Sequence, residues 1–130
     1  MASKRIETKG APAAIGPYSQ AITSGEWIFC SGQIPIDPIS GEVVGRGDIE
    51  AQTRQVLRNL EAVLAASGAT RRDVVKATVY LIDMAEFSKM NQVYAQFFEG
   101  CTAPARVCVQ AAALPKGVDV EIDFIARTAG

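Results

Sequence analysis

The sequence predicts a single α+β domain in which two helices pack on one face of a mixed sheet. Three observations lead to this fold class: two segments repeat apolar residues with a helical period, strand-like segments surround them, and no linker or internal repeat divides the 130 residues. A chain of this length buries roughly two-thirds of its extended-chain surface, so it needs no disulfide or metal for stability. Residues 1–130 are therefore expected to form one domain.

The first predicted helix spans Ile49 to Ala66, where apolar residues recur every three or four positions. Asp48 precedes this segment as an N-cap, and Gly68 follows at the position where a C′ glycine ends many helices. The apolar stripe consists of Val56, Leu57, Leu60, Val63 and Leu64. We expect this stripe to pack on the sheet.

The second predicted helix runs from about Met84 to Glu99. Asp83 and Glu86 have the spacing of a capping box at its start, and Gly100 follows its end. Its apolar stripe consists of Phe87, Met90, Tyr94, Phe97 and Phe98. Asn91 borders this stripe and is either a solvated polar residue or one that reaches a packed strand.

Strand signals surround the helices, with β-branched and aromatic residues between turn-forming ones. The segments are Glu26–Cys30, Val74–Leu81, Arg106–Ala111 and Val118–Ala126. The turn Leu114–Gly117 joins the last two, and Asp37–Gly41 is a further turn signal. The element order is therefore roughly ββ-α-β-α-ββ.

The last strand alternates strictly, so its two faces differ in character. Its apolar row is Val118, Val120, Ile122 and Phe124, and its acidic row is Asp119, Glu121 and Asp123. The apolar row suits the helix-covered face. The second face receives either Arg106, Cys108 and Gln110 or Val107 and Val109 from the neighbouring strand. It is either solvated or packed against another subunit, and the 48% hydrophobic content favours another subunit.

The absence of histidine excludes several classes of site. Neither a Ser-His-Asp nor a Cys-His nucleophile system is possible, and neither is a histidine-ligated metal. Acid-base chemistry near neutral pH must then come from a shifted carboxyl, Cys, Tyr or Lys, or from the substrate itself.

Charge and cysteine content indicate a cytoplasmic protein for which nucleic acid is not the expected partner. Thirteen basic residues balance fourteen acidic ones, so no general attraction to phosphates is expected. The three cysteines have no metal-like spacing and are expected to be reduced thiols. No apolar run follows the N-terminal charges, and prolines interrupt the uncharged stretch 10–25, so we expect neither a secretory signal nor a membrane span.

Two short segments in the first third of the chain are candidates for ligand contacts. Gly16–Gln20 delivers the Tyr18 hydroxyl into a strand, although the simpler interpretation is a proline-initiated turn with a core tyrosine. Ser31–Pro35 lies at a strand end, where Gly32 would let a ligand approach its backbone N–H.

Pro104–Cys108 and Val120–Ile122 form the third candidate. If these strands pair through the turn before the last strand, Arg106 and Glu121 share one face. They would form either a structural ion pair or a site in which an arginine fork binds a carboxylate and a carboxyl orients a water.

In this order, these segments resemble the reactive intermediate deaminase family, also called YjgF/RidA. The resemblance extends from Gly16 to Ala126 without a large insertion. Besides the segments already described, it includes Gln52-Thr53, Asn59-Leu60, Asn91–Tyr94, Phe97-Phe98 and Leu114-Pro115.

The resemblance implies a chorismate-mutase-like fold of the bacillary type, assembled as a homotrimer with the sheets inward and ligand clefts at the subunit boundaries. It also implies hydrolytic deamination of small 2-imino acids and enamines to 2-oxo acids and ammonia, without a cofactor. The substrates would be 2-aminoacrylate, 2-iminopropanoate and 2-iminobutanoate released by pyridoxal-phosphate dehydratases.

By the same resemblance, Arg106 grips the substrate carboxylate and Glu121 positions the water. Tyr18, Ser31, Asn91 and Cys108 shape the cleft, and the Gly32 N–H assists with the carboxylate. Val107 stands where many family members carry serine, but strand alternation points it away from Arg106.

Two other functions stay open at this stage. A ligand-sensing or regulatory trimer would use the same cleft to bind small acids without turnover. Some family members have been linked to RNA cleavage or translation inhibition. We rank this third because the chain offers neither a basic stripe nor aromatic stacking platforms.

Overall fold

The computed structural model describes residues 3–128, which form a six-stranded sheet with two helices on one face. The strands are β1 (Lys4–Ile6), β2 (Ala21–Ser24), β3 (Trp27–Gln33), β4 (Val74–Leu81), β5 (Ala105–Gln110) and β6 (Val120–Arg127), and the helices are α1 (Ile49–Ala66) and α2 (Phe87–Phe97). This arrangement confirms the predicted α+β class. Neither β1 nor β2 lies within a strand segment named from the sequence, although the predicted order contains two strands before α1.

Helix α1 has the predicted bounds, and the Asp48 side chain accepts a hydrogen bond from the Ala51 N–H at 3.1 Å. Helix α2 begins later than predicted, because residues 84–86 form a 3₁₀ turn that Asp83 caps through the Ala85 N–H. The α-helix then starts at Phe87.

The sheet order is β1-β2-β3-β6-β4-β5. All neighbours are antiparallel except β4 and β5, which run parallel and are connected through α2. The prediction that β5 and β6 pair through the turn between them is wrong, because β6 lies between β3 and β4. Its strictly alternating apolar row suits this central position, where both of its edges are hydrogen-bonded.

One face of the sheet carries the core. In β6 the buried row is Val120, Ile122, Phe124 and Ala126, each at most 1% exposed. The apolar sides of both helices cover this row. We call the other side the open face. It presents four large apolar residues that are 41 to 46% exposed: Trp27, Phe29, Val107 and Val109.

Register decides which β5 residues lie on which face. Arg106 pairs with Ala77, which in turn pairs with the buried Phe124, so Arg106 lies on the helix-covered face. Val107 and Val109 lie on the open face.

Within residues 3–128, no helix is long and apolar enough to cross a membrane.

Candidate active site

Arg106 lies between strand β5 and one side of helix α2. Its Nη1 donates a hydrogen bond to Asn91 Oδ1 at 2.7 Å. Its Cζ lies 4.7 Å from the centre of the Tyr94 ring and 5.4 Å from that of Phe87. Phe87, Asn91 and Tyr94 share one side of α2 because residues four and seven positions apart lie one and two turns along a helix. Asn91 is therefore a partner of a packed strand rather than a solvated helix residue.

The Arg106 guanidinium has no acidic partner among the described residues. The ion pairs found within residues 3–128 join Arg5 to Glu7 and Arg127 to Glu26. The Asn91 oxygen and the ring faces attract the guanidinium without neutralising it. A full positive charge with free N–H donors is therefore available to an anionic ligand.

Cys108 lies two residues further along β5, on the same face as Arg106 and against the core. Burial raises the pKa of its thiol, and the Arg106 charge only partly opposes this. At neutral pH the side chain is thus a neutral thiol, which fits the predicted wall of a pocket better than a nucleophile.

Glu121 belongs to a second group, on the open face. It is partly buried, and burial raises the pKa of its carboxyl, with a further contribution from the Asp123 charge. Its carboxylate lies over the backbone of Gly32, so closely that a Cβ at this position would collide with it. The absence of a side chain at Gly32 therefore leaves room for the Glu121 carboxylate in its present position.

Gly32 lies in an irregular stretch of β3, where the register with β6 shifts between Cys30 and Gln33. Such bulges re-aim side chains and often occur beside active sites. Just before it, the Ser31 hydroxyl donates to the Ser19 carbonyl. This bond ties the bulge to the Gly16–Gln20 turn.

The turn holds Tyr18, whose side chain is 50% exposed. The interpretation of Tyr18 as an ordinary core tyrosine is therefore wrong. The buried Gln20 side chain anchors the turn by bonding to the backbone of Thr8, Ala11 and Pro12. Tyr18 thus projects from a fixed turn beside Ser31.

The structure therefore divides the predicted site residues into two groups. Asn91, Arg106 and Cys108 lie on the helix-covered face, and Ser31, Gly32 and Glu121 lie together on β3 and β6, with Tyr18 on the adjoining turn. The prediction that Arg106 and Glu121 share one face is wrong. Strand β4 lies between their strands, and its Ala77 pairs with Arg106 while its Tyr80 pairs with Glu121. Because Ala77 and Tyr80 are three positions apart in one strand, their side chains, and those of their partners, point to opposite faces of the sheet.

Sequence reasoning assigned Phe87 and Tyr94 to the apolar stripe of α2 and gave them no role at Arg106. Their spacing about Asn91 would have indicated a common contact, but only the packing of α2 against β5 identifies the partner. Asp123, which raises the pKa of Glu121, was likewise placed only in an acidic row. Among residues 3–128, no cluster of three His, Cys, Asp or Glu side chains is arranged to hold a metal ion.

Comparison with known proteins shows similarity along nearly the whole chain. A family model described as Endoribonuclease L-PSP matches residues 8–128. A RutC family protein of Pyrococcus horikoshii is 57% identical over 121 residues, covering 93% of this chain and 94% of the relative. The 2-iminobutanoate/2-iminopropanoate deaminase of Escherichia coli is 48% identical over 126 residues, covering 95% of this chain and 97% of the relative.

The fold is also similar to that of a solved structure over nearly the whole chain. The crystal structure of Escherichia coli TdcF with bound serine matches with a TM-score of 0.93 at 44% identity, covering 97% of this chain and 99% of that chain. Sequence and fold agree over the same residues, so the chain belongs to the YjgF/RidA family, as its motifs predicted.

Proposed function

We propose that the protein hydrolyses small 2-imino acids and enamines to 2-oxo acids and ammonia. The observation that carries this proposal is the Arg106 guanidinium, which is held by Asn91 and two rings and is free of any carboxylate partner among the described residues. Two relatives support it: one is named a 2-iminobutanoate/2-iminopropanoate deaminase, and the TdcF structure holds serine, a small 2-amino acid.

The two groups of site residues suggest that each site is shared between subunits. One chain cannot bring Arg106 and Glu121 together, because the sheet lies between them. We propose a homotrimer in which the open faces pack inward, so that Glu121, Gly32 and Tyr18 of one subunit face Arg106 and Cys108 of the next. The exposed Trp27, Phe29, Val107 and Val109 are the kind of surface that such packing buries.

In the proposed reaction, Arg106 binds the substrate carboxylate through two parallel hydrogen bonds. The imine nitrogen is protonated, and a water held by Glu121 attacks C2 while the carboxylate takes its proton. Glu121 returns this proton to the carbinolamine nitrogen. The C–N bond then breaks, and the departing ammonia takes the proton of the carbinolamine hydroxyl and leaves as ammonium, with the 2-oxo acid behind. The raised pKa of Glu121 suits a group that both accepts and returns a proton.

The chemistry requires little more than this. Imines hydrolyse in water, so positioning and acid-base assistance of roughly 10²–10⁴-fold would suffice. No cofactor is needed, and the missing histidine is no obstacle. We propose that pyridoxal-phosphate dehydratases, which release enamines, supply the substrates. We also propose a cytoplasmic location, because the three cysteines are free thiols.

A coupled assay tests the reaction. A threonine dehydratase releases the imine, semicarbazide traps what remains, and the chain is added in increasing amounts. We expect trapping to fall with the wild type and not with Arg106→Ala. Equal trapping with and without the wild-type chain would refute the deaminase activity and leave a sensing role, which Arg106-dependent binding of 2-oxobutanoate would then support.

Mixing two inactive variants tests the shared site. In co-refolded trimers of Arg106→Ala and Glu121→Ala chains, roughly a quarter of the boundaries receive both intact residues by chance, so about a quarter of the wild-type rate should return. A site within one chain would give none. Light scattering on the same samples checks that each variant is still a trimer.

The family model's description as an endoribonuclease names one further activity to test. Incubating single-stranded RNA with wild-type and Arg106→Ala protein distinguishes the two functions. Cleavage by both proteins at equal rates would indicate a nuclease that does not use the carboxylate site.

A further inference from the structure

The geometry around Arg106 assigns a role to two aromatic side chains that sequence reasoning placed only in the core. We propose that Phe87 and Tyr94 are positioning residues: their rings hold the guanidinium, so that only one edge of its plane is left for a carboxylate. This inference rests on the proposed function, because it concerns the same arginine.

The distances place the guanidinium over both rings. Phe87 and Tyr94 are two helical turns apart, which is roughly 10 Å along the axis of α2. Both ring centres nevertheless lie close to one carbon, Arg106 Cζ, at 5.4 and 4.7 Å. Arg106 Cζ therefore lies over both rings, in a space beside α2 that we call the guanidinium slot.

The hydrogen bond in the slot fixes the remaining freedom. Asn91 is positioned between the two aromatic residues along the helix, and its Oδ1 accepts from Nη1 at 2.7 Å. An arginine has five N–H donors in one plane. With two rings against it and an amide on one donor, the free donors point out along the remaining edge. A planar carboxylate entering edge-on matches this arrangement, and a ligand that must stack on the guanidinium does not.

The ring of Tyr94, rather than its hydroxyl, accounts for the arrangement. The residue is 5% exposed, and its hydroxyl is buried without a hydrogen-bond partner. An unpartnered buried hydroxyl is unfavourable, so it does not explain the ring's position. Tyr94→Phe consequently separates the two parts of the side chain, because it keeps the ring and removes the hydroxyl.

The chain also offers a matched control. The Phe98 ring packs 4.9 Å from the Tyr94 ring and is 4% exposed. It takes part in no cation–π contact with Arg106, whose aromatic neighbours are Phe87 and Tyr94. Phe98→Leu thus removes a neighbouring buried ring while leaving the guanidinium slot intact.

The experiment measures binding of 2-oxobutanoate by calorimetry, together with the NMR order parameter of the Arg106 Nε–H group. We expect Phe87→Leu and Tyr94→Leu each to weaken binding roughly tenfold and to lower the order parameter, because a loosened guanidinium must be ordered on binding. Tyr94→Phe should stay within about twofold of the wild type. Phe98→Leu should lower the melting temperature without changing affinity.

Kinetics add a second readout. In imine hydrolysis the leucine variants should raise KM and largely retain kcat, since the rings act on carboxylate binding. Wild-type affinity and an unchanged order parameter in Phe87→Leu would overturn the proposal. Phe87 is only partly buried, so this variant can be measured even if Tyr94→Leu does not fold. Arg106-dependent binding of 2-oxobutanoate without imine turnover would refute the proposed deaminase activity. The 2-oxobutanoate affinities of Phe87→Leu and Tyr94→Leu would still decide whether the two rings position Arg106.

Discussion

The two faces of the sheet hold their polar groups in different ways. On the helix-covered face, Arg106 is fixed by Asn91 and two rings of the same chain. On the open face, Glu121 and Asp123 are half-buried beside exposed aromatic and β-branched residues, and neither carboxylate has an ion-pair partner among residues 3–128. One chain thus fixes the position of the cation through its own side chains, whereas the carboxylates lie on a face that the same chain leaves partly exposed.

The largest expected contrast between the faces is in stability. Phe124 is 1% exposed and Phe29 is 46% exposed, although both lie in the middle of the sheet. Under conditions in which the chain is monomeric, Phe124→Ala should lower the free energy of unfolding by about 3–5 kcal/mol, and Phe29→Ala by about 1 kcal/mol or less. Denaturant titration of both variants measures this difference. Equal losses would show that the open face is covered within the single chain.

The next contrast concerns catalysis. Arg106→Ala should lower kcat/KM about 10²–10⁴-fold, because two charge-assisted hydrogen bonds to the substrate are lost. Glu121→Gln should lower kcat about 10²-fold or more and leave KM nearly unchanged, because a water is no longer deprotonated. Steady-state kinetics on both variants tests the division of roles. An unchanged kcat in Glu121→Gln would remove the proton-accepting role from this residue.

A smaller effect is expected at Gly32. The added methyl group of Gly32→Ala collides with the Glu121 carboxylate, the movable end of a side chain, so stability should fall by about 1 kcal/mol or less while kcat falls roughly tenfold. The double variant with Glu121→Asp shortens the colliding side chain. The fold reduction in kcat of the double variant should be smaller than the product of the fold reductions caused by Gly32→Ala and Glu121→Asp alone. Purely multiplicative effects would place the two side chains in independent roles.

The smallest effect is a pH dependence of the open face. Burial raises the pKa of Asp123 and Glu121. A carboxyl whose pKa is higher in the folded state stabilises the fold while it is protonated, below about pH 4, and loses this stabilisation as the pH rises through its folded pKa. Asp123→Asn should therefore reduce the loss of monomer stability between about pH 4 and 7.

Burial raises the pKa of Glu121, and the Asp123 charge raises it further. The same substitution removes that charge, so the acidic limb of the kcat profile should move to lower pH. Glu61→Gln, on the exposed side of α1, is the control for removing a carboxylate. A kcat profile unchanged in Asp123→Asn would show that Asp123 does not act on Glu121.

Local sequence patterns were sufficient where a single element decides the outcome. The bounds of α1, its Asp48 cap and the alternating rows of β6 follow from residue spacing, and the structure confirms them. The strand signal near Trp27 was also correct, although β3 extends to Gln33 through a register shift that the pattern does not reveal.

Relations between distant strands could not be obtained in this way. The sequence allowed either Arg106 or Val107 to lie on the open face. Alternation shows that neighbouring side chains in a strand point to opposite faces, but it does not show which of the two faces the helices cover. Adjacency in the chain also suggested that β5 pairs with β6, whereas β4 separates them.

By itself, the sequence determined the fold class and the family and indicated the residues of a candidate site, because capping, periodicity and motif spacing are properties of short segments. Only the tertiary structure decided how those residues are grouped. Strand order and register placed Arg106 with Phe87 and Tyr94 on one face and Glu121 with Gly32 on the other. Hydrogen-bonded pairing between distant strands sets that division, and it depends on the packing of the whole sheet.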